Sequence, residues 1–457
     1  MHGESDLTQG CGRRSMSGAF PAQTVARWYA IVILIITYIL AFLDRQILSL
    51  LVAPIKRDLQ LSDTQVSVLQ GIAFAGLMAL AGLPIGRLVD TRSRSTLIAT
   101  GVAIWSVMTA SCGLARSYGE LLFSRMGVGL GEACLTPAAY SLLADWFPPK
   151  RHGLVFGIYG VGAFLGLGLS YIVGGEVIRR IGLDGQLVVP WIGELPAWRV
   201  VFMLVGIPGL VVAGLGATLT EPRCRGFVPG EVAGPSRLNA VAAYFCGHWR
   251  PILLANLCIA FAAMTGYSLT AWTPTLFIRT YGWTAAHIGS AYGLVVALSG
   301  TVGYLVGGWG GDVLVSRGII AGRLILIAGA AVVAIPITVV APLMANPQHV
   351  LDLYGVAMIF IALAVGLGPV VQLSLVPANL RGTAIALGVL TVNIVGLGLG
   401  PTAVALVTDY VIGDERQIRY ALAVMPASML FLCATFGVWC IAPYCHCVRR
   451  LNAAPEN

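Results

Sequence analysis

Apolar residues fall along the chain in twelve long blocks separated by short polar segments. The blocks run about 27–51, 66–89, 96–115, 119–144, 153–177 and 200–219, then about 251–277, 287–311, 321–343, 350–374, 383–408 and 420–444. Each approaches the ~20 residues a helix needs to cross the hydrocarbon of a bilayer. The pattern predicts an all-α polytopic membrane protein with twelve transmembrane helices. They divide into two six-helix bundles, expected at 27–219 and 251–446. A linker at 220–250, rich in Pro, Gly and Arg, separates the bundles, and tails at 1–26 and 447–457 flank them.

The two halves repeat. Leu61-Ser62-Asp63-Thr64-Gln65-Val66 aligns with Trp283-Thr284-Ala285-Ala286-His287-Ile288. The same offset of 222 residues carries Arg57 onto Arg279, Gly86 onto Gly308 and Asp90 onto Asp312. The bundles are therefore expected to be pseudo-symmetric. Duplicated six-span halves around a midplane site are the plan of a secondary transporter. A non-transporting receptor, the rival from another class, has no need of this symmetry.

Basic residues set the orientation. With both termini and the linker placed inside, inner segments hold about sixteen Lys and Arg against nine outside. That asymmetry predicts cytoplasmic termini, and a multi-pass protein of the inner (plasma) membrane.

Composition narrows the class further. Of 457 residues, 57% are hydrophobic and 11% charged, against about 25% charged in soluble domains. A water-soluble enzyme is excluded on that ground. The net charge of +8 is spread as short markers between apolar blocks, so no nucleic-acid partner is expected. The ten cysteines include Cys445-His446-Cys447 near the C-terminus, but a structural metal site needs about four ligands. No metal and no cofactor are expected. No G-x-S-x-G, H-E-x-x-H or phosphate-cradling loop is found, which argues against an enzyme.

Four charges interrupt the apolar blocks of the first half. Asp44 and Arg45 end a long apolar run in span one, and Arg125 and Glu132 lie in span four. The seven-residue spacing of Arg125 and Glu132 is about two helical turns, so they share a face. A charge at membrane depth costs about 2.5–3.5 kcal/mol on insertion scales. Asp44 and Glu132 are the candidates for carrying a proton. Arg45 and Arg125 are candidate ion-pair partners or binders of an anionic head group. A static ion-pair network joining the two spans is the competing reading. The interiors of spans seven to twelve hold only milder polar residues, such as Asn393. Asn393 and Tyr140 are further candidates for lining a cavity. A cavity charged on one wall and apolar on the other suits an amphipathic ligand with an anionic head.

Spans two and three are joined by Gly86-Arg87-Leu88-Val89-Asp90-Thr91-Arg92-Ser93-Arg94. This resembles the G-x-L-x-D-R-x-x-R loop of the major facilitator superfamily. Gly86, Leu88, Asp90 and Arg94 are kept, and Thr91 departs from the usual Arg. Gly308-Trp309-Gly310-Gly311-Asp312 is its degenerate second copy. In the gate reading, Gly86 lets helices approach closely, while Asp90, Arg94 and Asp312 hold the inner side shut in the outward-facing state.

Residues 28 to 222 resemble the spinster-like branch of that superfamily, bacterial members in particular. Phe42-Leu43-Asp44-Arg45-Gln46, Leu61-Ser62-Asp63-Thr64-Gln65, Gly127-Val128-Gly129-Leu130-Gly131-Glu132-Ala133 and Trp198-Arg199-Val200-Val201-Phe202 carry the resemblance. It implies alternating access, proton-linked groups at Asp44, Arg45, Arg125 and Glu132, and, in eukaryotic members, export of lysophospholipids or sphingosine phosphate. The glycine-rich fifth span is similar to that of proton antiporters but lacks their Gly-Pro step.

The sequence as a whole reads as a monomeric, proton-coupled secondary transporter. Its expected partners are protons, membrane lipids and an amphipathic organic anion or lysolipid. The alternative is a broad-specificity drug or metabolite exporter of the same superfamily.

Overall fold

The computed structural model describes residues 21–147, 152–182, 186–189, 193–221, 243–377 and 380–453. Twelve helical passes follow one another in it. Ten are helical stretches long and apolar enough to cross a membrane. The fourth pass, Tyr118–Glu132 plus Leu135–Trp146, and the fifth, His152–Ile181, complete the twelve. Large apolar side chains such as Leu80, Phe123, Val211 and Trp309 stand exposed, as a lipid-facing surface requires. Most of the expected linker, at 222–242, lies outside the described residues. The first helix begins at Pro21, earlier than the apolar block, because Ala22-Gln23-Thr24 continue it as polar helix.

The repeat is visible in the caps. Ser62 opens the second pass and accepts from the Gln65 amide in a full capping box. Thr284, at the matching position, opens the eighth and accepts from the His287 amide. Each satisfies an amide that a helix start would leave without a partner.

Three passes are not the plain helices the blocks predict. The second is interrupted at Gly71, between Asp63–Gln70 and Ile72–Thr91. The fourth breaks at Ala133–Cys134. The eleventh, which starts at Arg381, carries π-helical stretches at Val392–Gly398 and Val407–Ile412. A short hairpin, β1 (Gln186–Val189) against β2 (Gly193–Pro196), joins the fifth and sixth passes. It is the one departure from an all-helical chain among the described residues.

The halves meet along two seams. Gly168 and Gly175 of the fifth pass lie against Gly293 and Gly289 of the eighth, each backbone filling the space a Cβ would need. The same device joins Gly71 to the carbonyls of Leu397 and Gly398 in the eleventh. In lipid, such small-residue contacts drive helix association through close packing rather than water exclusion. The bundle has two ends. The tail end carries the start of the first helix, residues 92–94, 145, 221 and 312–323. The far end carries 56–64, 279 and 409–415.

Candidate functional site between the two halves

The four charges of the first half come together. Asp44 and Arg45 project from the first helix, and Arg125 and Glu132 from the upper part of the fourth pass. Glu132 is the last residue before the break at Ala133–Cys134. Gly129 and Gly131 allow spans two and three to close on it, with the Phe74 and Gly101 carbonyls where a Cβ would stand.

Arg45 and Glu132 form the ion pair. Arg45 donates to Glu132 Oε2 through Nε at 2.8 Å and through Nη2. Its guanidinium lies over Phe74 at 4.7 Å and Phe42 at 5.4 Å. Glu132 is 3% exposed and its Oε1 has no hydrogen-bond partner. Asp44, 2% exposed, is likewise left with an unpartnered Oδ1.

Arg125 has a different part. It is fully buried and donates to two backbone carbonyls, Asp44 O at 3.0 Å and Leu69 O at 3.3 Å. Those carbonyls belong to spans one and two, the second just ahead of the break at Gly71. Arg125 therefore ties three helices together and forms no ion pair with the carboxylates among the described contacts. Arg45, unlike Arg125, borders the space between the halves.

That space is a cavity of about 20 Å³, about the size of one water. Arg45, Gln46, Ser49 and Gln70 line it from the first half, and Tyr267 and Thr270 from the second. Tyr171 stands next to it, its one hydroxyl proton shared between Gln46 Oε1 at 2.7 Å and the Thr270 carbonyl across the seam. Below it, Tyr38 stacks on Tyr159 at 4.8 Å, and Tyr159 meets Tyr140 edge-on at 5.2 Å. Tyr140 thus belongs to an aromatic wall beside the charges. Asn393 is half-buried on the π-helical stretch, one turn from Leu397 at the cavity. A π-helical turn marks functional sites more often than plain structure.

The far end is closed by an ion network that the sequence reading did not single out. Arg279 donates to both oxygens of Asp63, at 2.6 and 2.7 Å. Lys56 reaches Asp63 and Glu415, each at 2.5 Å. Asp409 accepts from the Thr64 amide at 2.7 Å and its hydroxyl at 2.6 Å. The Asp63–Arg279, Lys56–Glu415 and Thr64–Asp409 contacts all cross from one half to the other. Oxygens of Asp63, Asp409 and Glu415 lie within 4.8 Å of one another, but Lys56 and Arg279 already pair with Asp63 and Glu415, and Asp409 is bonded to Thr64. The signal in the sequence was Asp63 inside the capping box, opposite an uncharged Ala285 in the repeat.

At the tail end, charges pair within each half. Arg94 donates to Asp145 Oδ2 at 2.5 Å and to the Ser141 carbonyl at 3.0 Å. Glu221 accepts from Ser93 Oγ at 2.6 Å and the Ser95 amide at 2.9 Å. Burial alone would raise the Glu221 carboxyl, yet these hydrogen bonds and the nearby Arg94 hold it below the usual glutamate range. Asp312 pairs with Arg323 at 2.9 Å but is 75% exposed, a setting in which an ion pair contributes little. The Asp90 side chain lies outside the described residues. In this structure no described atom lies within 4 Å of where a Gly86 Cβ would stand.

Comparison with known proteins bears on the family and the fold. The sequence profile of the Major Facilitator Superfamily matches residues 34–401. An MFS-type efflux pump of Mycolicibacterium smegmatis is 30% identical over 295 residues, 64% of this chain and 63% of that protein. The match thus spans somewhat under two thirds of the pump's length. A probable L-galactonate transporter of Escherichia coli is 26% identical over 353 residues, 73% of each chain. A bacterial homologue of the human lysosomal transporter Spinster, crystallised inward-facing and unoccupied, superposes with a TM-score of 0.76. It is 27% identical, over 94% of this chain and 99% of that one.

Proposed function

The chain belongs to the major facilitator superfamily, in its spinster-like branch, and from that premise we propose that it is a proton-coupled secondary transporter of an amphipathic organic anion. The observation that carries the reading is the buried pair Arg45–Glu132 beside the buried Asp44, whose Oδ1 has no partner, at the meeting of the halves. An ionised carboxylate without donors in a dry interior is costly, and a proton removes that cost. An anion arriving at Arg45 competes with Glu132 for the guanidinium. Glu132, once released, stays buried and is best held neutral. Substrate and proton then bind together, which is coupling in its simplest form.

Alternating access supplies the other half of the mechanism. The far-end ion network and the Tyr171–Thr270 bond hold one side shut. The excess of basic residues makes the tail end the cytoplasmic one, so this state faces inward, in the inner membrane. Rocking about the fifth–eighth seam would break the network and close the tail end. A broad-specificity exporter is the second reading, favoured by the aromatic wall of Tyr38, Tyr140 and Tyr159. Lysolipids fall within the first reading as amphipathic anions.

The test is Glu132→Gln in proteoliposomes. Flux driven by a pH gradient should fall at least about tenfold, while exchange of substrate at equal pH persists. Unchanged proton dependence would remove Glu132 from coupling.

A further inference from the structure

One polar side chain at the seam has no role in the mechanism above. Gln70 is the last residue of Asp63–Gln70, and the break at Gly71 follows it. It is 9% exposed and lines the cavity beside Arg45. Neither its Oε1 nor its Nε2 has a hydrogen-bond partner. Buried amides are nearly always satisfied, and leaving both functions unmet is unfavourable.

Several other polar groups of the cavity are already engaged. Gln46 Oε1 accepts from Tyr171. Ser49 donates to the Gln46 carbonyl at 2.6 Å, and Thr270 to the Tyr267 carbonyl at 3.1 Å. Arg45 bonds through Nε and Nη2, which leaves Nη1 for a further acceptor. Beside the Tyr267 hydroxyl and Gln46, the cavity of about 20 Å³ thus offers one cationic donor and, on Gln70, one amide with both its donor and its acceptor unmet.

We propose that Gln70 reads a hydroxyl group on the substrate, next to the anionic group held by Arg45. A hydroxyl donates to Oε1 and accepts from Nε2 at once, which a carboxylate or a methylene cannot do. The volume admits one such group and little more. Gln70 is also placed to read it in only one state. A Cβ on Gly71, its neighbour, would stand 2.6 Å from the Gly398 carbonyl across the seam, so opening of the far end along this seam would part the wall. The inference rests on the anion part of that reading, not on the anion being amphipathic, and narrows it to anions with a hydroxyl close to the charge. Two sources share that chemistry: small polyhydroxy acids and the head group of a lysolipid.

The experiment is calorimetric binding to the purified full chain with two matched pairs of probes. One pair is gluconate and hexanoate; the other is lysophosphatidate and its 2-deoxy analogue. In one pair the hydroxylated probe should bind at least about tenfold more tightly, the scale of a buried hydrogen-bonded pair. The pair that shows this identifies the source. In Gln70→Met, of similar shape but without the amide, the ratio should fall to about one while the deoxygenated probe keeps its affinity. That retained binding also reports that the variant is folded. Gln70→Asn, one methylene short, is the second variant and should cut the ratio at least about threefold. Equal binding within both pairs, or a ratio unchanged in either variant, overturns the proposal and leaves the anion reading standing. Failure of all four probes to bind the unaltered protein overturns both. A ratio that does not respond to substitution points to a resident water on Gln70 and overturns the proposal as well.

Discussion

Two arginines that look alike in sequence divide the work of the site. Arg45 faces a carboxylate and a cavity; Arg125 faces two carbonyls and is sealed. Arg125→Gln should therefore lower stability by about 2–4 kcal/mol, through two carbonyls left unmet, and with a smaller pH dependence than a loss at Arg45, because no carboxylate is bonded to it. Arg45→Gln leaves Glu132 buried and unpaired, but Glu132 can take a proton, so its cost should shrink on acidification. Thermal unfolding of the detergent-solubilised variants at pH 5 and pH 8 checks the contrast. Equal pH responses would mean that Glu132 does not depend on Arg45. The sequence made the four charges legible because a charge in an apolar run is conspicuous. Which of them pair was not legible, since that depends on where the second and fourth spans break. Gln70 was hidden for a related reason. An uncharged glutamine at a span boundary looks like solvated surface until its burial is known.

The breaks are where the elements depart from their pattern, and they are where the site is built. Glu132 stands at the break in the fourth pass, Gln70 at the break in the second, and Asn393 on a π-helical turn of the eleventh. Block length and hydropathy locate spans well because the bilayer fixes both. They do not reveal a one-residue interruption, which leaves the block length unchanged. Gly71 makes the point testable. A methyl there would stand 2.6 Å from the Gly398 carbonyl and 2.9 Å from that of Leu397. Those are backbone atoms, and relieving the overlap means parting the second and eleventh passes, at a cost of about 1–3 kcal/mol. Gly71→Ala should thus favour opening of the far end. A cysteine placed at Ala271, in the cavity, should then be labelled faster by an impermeant maleimide added from the far side. An unchanged rate would show that the seam can absorb a methyl without moving.

For the whole molecule, the duplicated halves share the order of their passes, differ in where those passes break, and are strongly asymmetric in charge. Matching caps at Ser62 and Thr284 show how faithfully the repeat survives in the backbone. The asymmetry sits in the first half's buried charges and in the far-end network, where Asp63 meets Arg279 although its repeat partner is Ala285. That network crosses between the halves, whereas Arg94 and Arg323 at the tail end each pair within their own half. The ion pairs are thus placed to bias the equilibrium between states rather than to hold one bundle together. A salt bridge has this effect only if it exists in one state alone, because an interaction equal in both shifts nothing. Asp63 is fully buried with two cations on it, so its loss should be felt more than that of half-exposed Glu415. Asp63→Asn keeps the capping geometry and removes the charge. The far-closed state should lose about 1–3 kcal/mol relative to the other, a population change of roughly five- to 150-fold. Far-side labelling at Ala271→Cys should rise accordingly, and Glu415→Gln should raise it less. If both variants label alike, the network is surface decoration and the Tyr171–Thr270 bond and the glycine seams hold the far end alone. If Asp63→Asn labels faster and the flux it supports becomes less dependent on the pH gradient, the gate and the buried carboxylates act on one equilibrium.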